Sequence, residues 1–266
     1  MLFVFFFLAL AEARECPKPP TELAKLYSAE FLLDREYGER GLKLDMAWPK
    51  AEGIFPAIIF LHGGGWVSGS KDGFRQWLKL AAEKGFVGVA INYRLAKKIA
   101  EDKMENRFPA AAEDVNSAID WIRTKASKYK INPERIFVFG ESAGAHLALF
   151  SGLRADVKAI GNLYGPVDIV KLYTERGDLN KKLLEDVFGE KMKEASPIHL
   201  TSEASPPVIT IHGTEDAVIP YAHAEILKAK LGSKNQLVSC LKELHGFTPE
   251  NRARAFEHIF QFFAAQ

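Results

Sequence analysis

The sequence predicts an α/β fold: a mostly parallel, eight-stranded sheet covered by helices on both faces. Three observations lead there. Several short apolar runs are continuous rather than alternating, as strands buried on both faces require. From the middle of the chain onward these runs alternate with helical patterns, the signature of βαβ units. The first two strand segments have no helix between them, so an antiparallel hairpin is expected at the N-terminal edge. The 266 residues, 47% of them hydrophobic, suffice for one such domain with a large core.

The elements follow in order. Strand segments are 29–36, 42–48, 55–61, 86–92, 136–139, 159–164, 208–212 and 236–243. Helical patterns cover 74–84, 108–128, 143–153, 222–231 and 249–264. In the second of these, Ala112, Val115, Ile119 and Ile122 recur on one face, the 3.6-residue period of an amphipathic helix. Residues 165–206 break the rhythm with many charges and weak periodicity, 183–188 being the one short helical stretch there. They read as an excursion between two strands, small and lid-like, rather than a second domain.

The N-terminus differs from the rest. Leu2 to Ala11 are ten consecutive apolar residues, followed by Ala11-Glu12-Ala13, which fits a small-residue cleavage site. The run is shorter than the roughly 20 residues that span a bilayer. It reads as a signal peptide over 1–13, leaving 14–266 as a single domain, secreted or periplasmic, with no stable membrane insertion. No basic residue precedes the run, and a segment docked on the domain or a membrane surface is the other reading. Two cysteines, Cys16 and Cys240, exclude a disulfide-dense scaffold and a Cys-built zinc site. In an oxidising compartment they either pair or stand as free thiols. A formal net charge of +1 gives no basic surface for nucleic acid.

The chemistry concentrates in four places. Gly140-Glu141-Ser142-Ala143-Gly144 lies between a strand and a helix. That context turns a common pattern into a nucleophile elbow, whose serine is exposed by a tight turn that glycines permit. His62-Gly63-Gly64-Gly65-Trp66 ends an apolar strand. Its glycines bring backbone N–H groups close to a ligand, so Gly63, Gly64 and Ala143 are the candidate oxyanion donors. A phosphate cradle is not supported, since no G-x-x-x-x-G-K-[ST] follows. A serine hydroxyl needs a base and an orienting acid. Asp216 follows the strand at 208–212, with Glu215 as the fallback, and His245 follows the last strand. His62 is read as fixing its loop, and His146 as pointing along its helix rather than over the hydroxyl. Trp66 either lines the acyl or alcohol pocket or packs. Glu141 is a weaker substrate-contact candidate whose place on the elbow turns it to the opposite side, a structural reading. Asp114 and Arg94 are expected to anchor loops.

These motifs, with "INYRL", "FPAAAEDVNSAIDWI" and "INPERIFVFGESAG", make residues 30–265 resemble an α/β-hydrolase carboxylesterase. The H-G-G-G loop is similar to that of hormone-sensitive-lipase-like esterases. The short chain is similar to compact secreted acetylxylan and feruloyl esterases. The resemblance implies a serine carboxylesterase acting on short-chain acyl esters through Ser142, His245 and Asp216 and an acyl-enzyme, needing no metal or cofactor. A carbohydrate esterase, an arylformamidase-type amidase and a non-catalytic binding protein on the same fold are the alternatives. The implied partner is a small-molecule or carbohydrate-linked ester.

Overall fold

The computed structural model describes residues 15–101, 103–175 and 177–266. The apolar N-terminal run and the cleavage site expected after it lie outside the described residues. In chain order the elements are β1 (Ala29–Tyr37), β2 (Leu42–Pro49), β3 (Phe55–Leu61), α1 (Arg75–Glu83) and β4 (Val87–Ile91). Next come β5 (Lys97–Ala100), β6 (Lys103–Glu105), α2 (Ala110–Thr124), β7 (Ile131–Glu141), α3 (Ala143–Gly152) and β8 (Ala159–Leu163). The chain ends with α4 (Ile169–Glu175), α5 (Asp178–Phe188), β9 (Val208–Gly213), α6 (Ala222–Leu231), β10 (Asn235–Cys240) and α7 (Pro249–Ala264).

Eight strands form one sheet in the order β1-β2-β4-β3-β7-β8-β9-β10. β1 and β2 pair antiparallel and β2 is antiparallel to β4, while every other pairing is parallel. The expected N-terminal hairpin is therefore present and the sheet is mixed. Because side chains alternate across a strand, β3 sends Ala57, Ile59 and Leu61 into one core and Ile58 and Phe60 into the other. The first core is closed by α2, α3 and α6, the second by α1 and α7. In the second, Phe139 meets Phe60, Phe74 and Phe256 edge to face. Parallel strands aligned this way put the ends of β3, β7, β9 and β10 along one edge of the sheet, where loops gather.

Several elements depart from the sequence reading. β7 starts at Ile131, and α2 ends at Thr124, its last expected turn tightening to a 3₁₀ turn over Ala126–Tyr129. β10 ends at Cys240, leaving Glu243 in a loop. The excursion holds two helices, α4 and α5, instead of one short one, because buried Ile169, Leu172, Leu184 and Val187 find partners across the domain that local periodicity does not reveal. The small β5–β6 hairpin interrupts what reads as an irregular loop.

Cys16 and Cys240, 224 positions apart in sequence, form a disulfide, so the paired reading holds over the free-thiol one. Glu15 bridges Leu241 beside it. The proline-rich segment that starts at Cys16 is further held by the Cys16 and Pro17 carbonyls, which accept from Arg254 and His258 on α7.

Candidate active site

Ser142 stands at the end of β7 with φ 53° and ψ −119°, a conformation a non-glycine residue rarely adopts. Its neighbours explain how it is held. A carbon added at Gly140 would lie 2.2 Å from the Gly144 carbonyl, and one at Gly144 would lie 2.1 Å from the Leu61 oxygen. The turn is therefore closed by backbone on both sides, and only glycine fits at either position. The Ser142 N–H is fixed by the Leu163 carbonyl at 2.9 Å. α3 starts at the next residue, so its free N–H end faces the serine.

His245 comes to the serine from the β10–α7 loop. Its Nε2 lies 2.9 Å from Ser142 Oγ, and its Nδ1 lies 2.8 Å from Asp216 Oδ2. An ionised carboxylate only accepts, so Nδ1 carries the proton and Nε2 is free to accept from the serine. Asp216 is buried, and its other oxygen accepts from the N–H groups of Val218 and Ile219, both at 2.8 Å. Burial pushes the Asp216 carboxyl upward. The hydrogen bonds from His212 and His245, the His245 charge and the Ile219 amide outweigh it and hold Asp216 well below the ordinary carboxylate range. Glu215, the fallback acid, sends its N–H to the Glu243 carbonyl and is not part of this chain of contacts.

The glycine loop lies against the serine. A carbon added at Gly63 would be 3.3 Å from Ser142 Cβ and 3.2 Å from the Glu141 carbonyl. Gly64 has φ 113° and is pressed against Ser68, whose carbonyl a side chain would meet at 2.2 Å. Among the described residues the N–H groups of Gly63, Gly64 and Ala143 take no partner from the chain. His62 fixes this loop as expected. Its Nδ1 bonds the Gly63 carbonyl at 2.7 Å, its ring stacks on Tyr93, and the Tyr93 hydroxyl donates to the His62 carbonyl at 2.6 Å. Burial lowers the His62 pKa, offset in part by the Gly63 contact.

Of the two roles read for Trp66, packing is the one seen. It is 6% exposed, lies edge-on to His146 and Phe188, and donates from its indole to His146 Nδ1 at 3.2 Å. Glu141 is corrected as a substrate contact. Its carboxylate is engaged in a two-bond ion pair with Arg252, at 2.8 and 2.9 Å. His146 points away from the hydroxyl, to the Ala195 carbonyl at 2.7 Å. Arg94 and Asp114 anchor the 94 loop to α2, through Arg94 Nε and the Arg94 N–H.

Three nearby residues escaped the sequence reading. His212 Nε2 sits 2.8 Å from the Ile219 carbonyl and 3.3 Å from Asp216 Oδ2, closing the turn that carries the acid. Tyr164, with φ 44°, lays its ring 4.8 Å from that of His245. Arg252 approaches from α7. The "HGTED" spacing, with His four residues before the acid, was the available signal for His212. Nothing local marks the other two.

A serine raised on a strand-to-helix turn, followed along the chain by an acid and then a histidine, each just past a strand of a mostly parallel sheet, defines the α/β-hydrolase fold. Within that class the chain belongs to the BD-FAE family, which matches residues 44–231. It is 31% identical over 228 residues to "Esterase LipC" of Mycobacterium tuberculosis (strain ATCC 25618 / H37Rv), covering 75% of this chain and 55% of that protein. The chain spans about half the length of the curated relatives it matches. Among solved structures it resembles Thermogutta terrifontis esterase 2 phosphonylated by sarin, with TM-score 0.76 and 25% identity over 92% of this chain and 96% of that one. It also resembles the propionate-bound form of Est2 from the same organism, with TM-score 0.73 and 25% identity over 90% and 94% of the two chains.

Proposed function

We propose that the protein is a serine carboxylesterase that hydrolyses short-chain acyl esters. One observation carries the reading: His245 bridges Ser142 Oγ at 2.9 Å and Asp216 at 2.8 Å, both within proton-transfer distance. Relatives described as esterases and as a carboxylic ester hydrolase support it.

In the proposed cycle, Ser142 Oγ attacks the ester carbonyl as its proton passes to His245 Nε2. The oxygen of the tetrahedral intermediate takes its charge between the N–H groups of Ala143 and Gly64, with Gly63 adjacent. One such donor is worth about 3 kcal/mol in the transition state. Asp216 keeps the imidazole in the accepting tautomer and stabilises the imidazolium. His245 then gives its proton to the departing alcohol as the carbon–oxygen bond breaks. Water, deprotonated by the same histidine, attacks the acyl-enzyme and restores Ser142.

The preference for short acyl groups rests on the excursion. α5 places Leu183 3.4 Å from where a side chain on Gly65 would begin, and Phe188 packs on Trp66. The excursion thus packs on the glycine loop beside Ser142. The propionate bound in the Thermogutta structure is an acyl group of that size. Hydrolysis of p-nitrophenyl esters from acetate to decanoate tests this: activity should peak at two to four carbons, and a maximum at long chains contradicts it. The Cys16–Cys240 pair suits an oxidising compartment, and we place the protein outside the cytosol. Cell fractionation checks this, since recovery in the soluble cytosolic fraction alone contradicts it.

A further inference from the structure

We propose that Arg252 is a positioning residue for proton transfer between Ser142 and His245, acting through Glu141 and Tyr164. The inference rests on the reading that these two residues exchange the proton.

The difficulty it addresses is geometric. Ser142 is held by β7 and α3, whereas His245 lies in an irregular loop between β10 and α7, 103 residues later. Two contacts shape that loop from within. Glu243 Oε1 accepts from the Thr248 N–H at 2.6 Å and from its hydroxyl at 2.9 Å, closing the chain across His245. Thr248 in turn caps α7 by accepting from the Asn251 N–H. These bonds set the loop's shape but not its distance from the serine.

Arg252, in the first turn of α7, supplies that distance. Its Nε and Nη2 grip both oxygens of Glu141, the residue before the nucleophile. A planar two-bond pair of this kind fixes orientation as well as separation. The guanidinium is itself held, lying 5.5 Å from the ring centres of both Trp77 and Phe256. It also interacts with the Tyr164 phenol. Tyr164 leaves β8 immediately after Leu163, whose carbonyl holds the Ser142 N–H. Its ring rests on His245 at 4.8 Å and on Phe247 at 5.1 Å, so it backs the base from beneath. Burial, with the Glu141 charge adding to it, keeps this phenol neutral. The elbow, the end of β8 and the base loop thus meet at one guanidinium.

The experiment compares wild type, R252Q, R252K and E141Q in p-nitrophenyl acetate hydrolysis, with active sites counted by a fluorophosphonate. In R252Q and E141Q, kcat per titrated site should fall about 10- to 100-fold, as for a misplacement near 1 Å, with KM little changed. R252K, which keeps the charge and one bond, should recover most of the loss. Thermal unfolding is measured alongside. If R252Q melts early, E141Q decides, because it removes the pair and leaves the guanidinium over its two rings. Unchanged kcat per titrated site, with only stability or active fraction reduced, overturns the positioning role. Failure of the wild type to be labelled at Ser142 overturns the functional reading instead, so the two failures are distinct.

Discussion

The Trp66 indole donates to Nδ1 of His146 at 3.2 Å, which joins the glycine loop to the helix that starts just after Ser142. Because the indole only donates, His146 is neutral and its Nε2–H goes to the Ala195 carbonyl in the excursion. Three parts of the site thus meet at one buried imidazole.

That imidazole makes stability depend on pH. Burial lowers the pKa of His146 to about 4, and that of His223 likewise to about 4, from an ordinary value near 6.5. Between those values the unfolded chain binds protons that the folded one refuses. Stability is full above about 6.5 and is lost as pH falls toward 4, by about 1.4 kcal/mol per group for each pH unit. Urea midpoints at pH 7.5, 6 and 5 should decline, and less steeply in H146Q. A flat profile contradicts this.

Asp216→Asn should leave the fold in place and reduce kcat by about 10⁴-fold. The Val218 and Ile219 N–H groups hold one oxygen of residue 216, so the amide nitrogen of Asn would turn toward His245 Nδ1. A donor there forces the proton onto Nε2, where it can no longer accept from Ser142. Steady-state kinetics check this, and a loss under tenfold contradicts it.

The strand-and-helix skeleton was legible because most central strands hold a continuous apolar run and α2 repeats its apolar residues on one face. The elbow, the glycine loop, Asp216 and His245 were legible because each sits just past a strand. What stayed hidden depends on contacts distant in sequence. Arg252 reaches Glu141 across 111 residues and Tyr164 earns its place only beside a folded loop. The α4 and α5 helices gain their apolar partners from other elements, so their own periodicity is weak. Trp66 offered two roles in sequence, and the position of His146 one helical turn beyond Ser142 decided between them.

Gly144→Ala should destabilise the protein by about 1–3 kcal/mol or more, because the new carbon meets the backbone oxygens of Leu61 and His62 at 2.1 and 2.5 Å. Gly73→Ala is the control, with nothing within 4 Å of the added carbon. Chemical denaturation of both variants measures the difference. Equal stabilities would show that the turn is not closed as described.

Cys240→Ser should cost roughly 2–5 kcal/mol under oxidising conditions, since the cross-link closes a long stretch of chain. Cys16→Ser should cost the same, and the double variant no more than either. Denaturation with and without reductant tests it; additive losses contradict a shared bond.

In the proposed cycle Ser142 is the nucleophile served by His245. Mass spectrometry of the protein after treatment with a fluorophosphonate measures it most directly. One adduct is expected, on the peptide containing Ser142, absent from Ser142→Ala and strongly slowed in His245→Ala. An adduct on another residue, or ester hydrolysis that survives in Ser142→Ala, contradicts it.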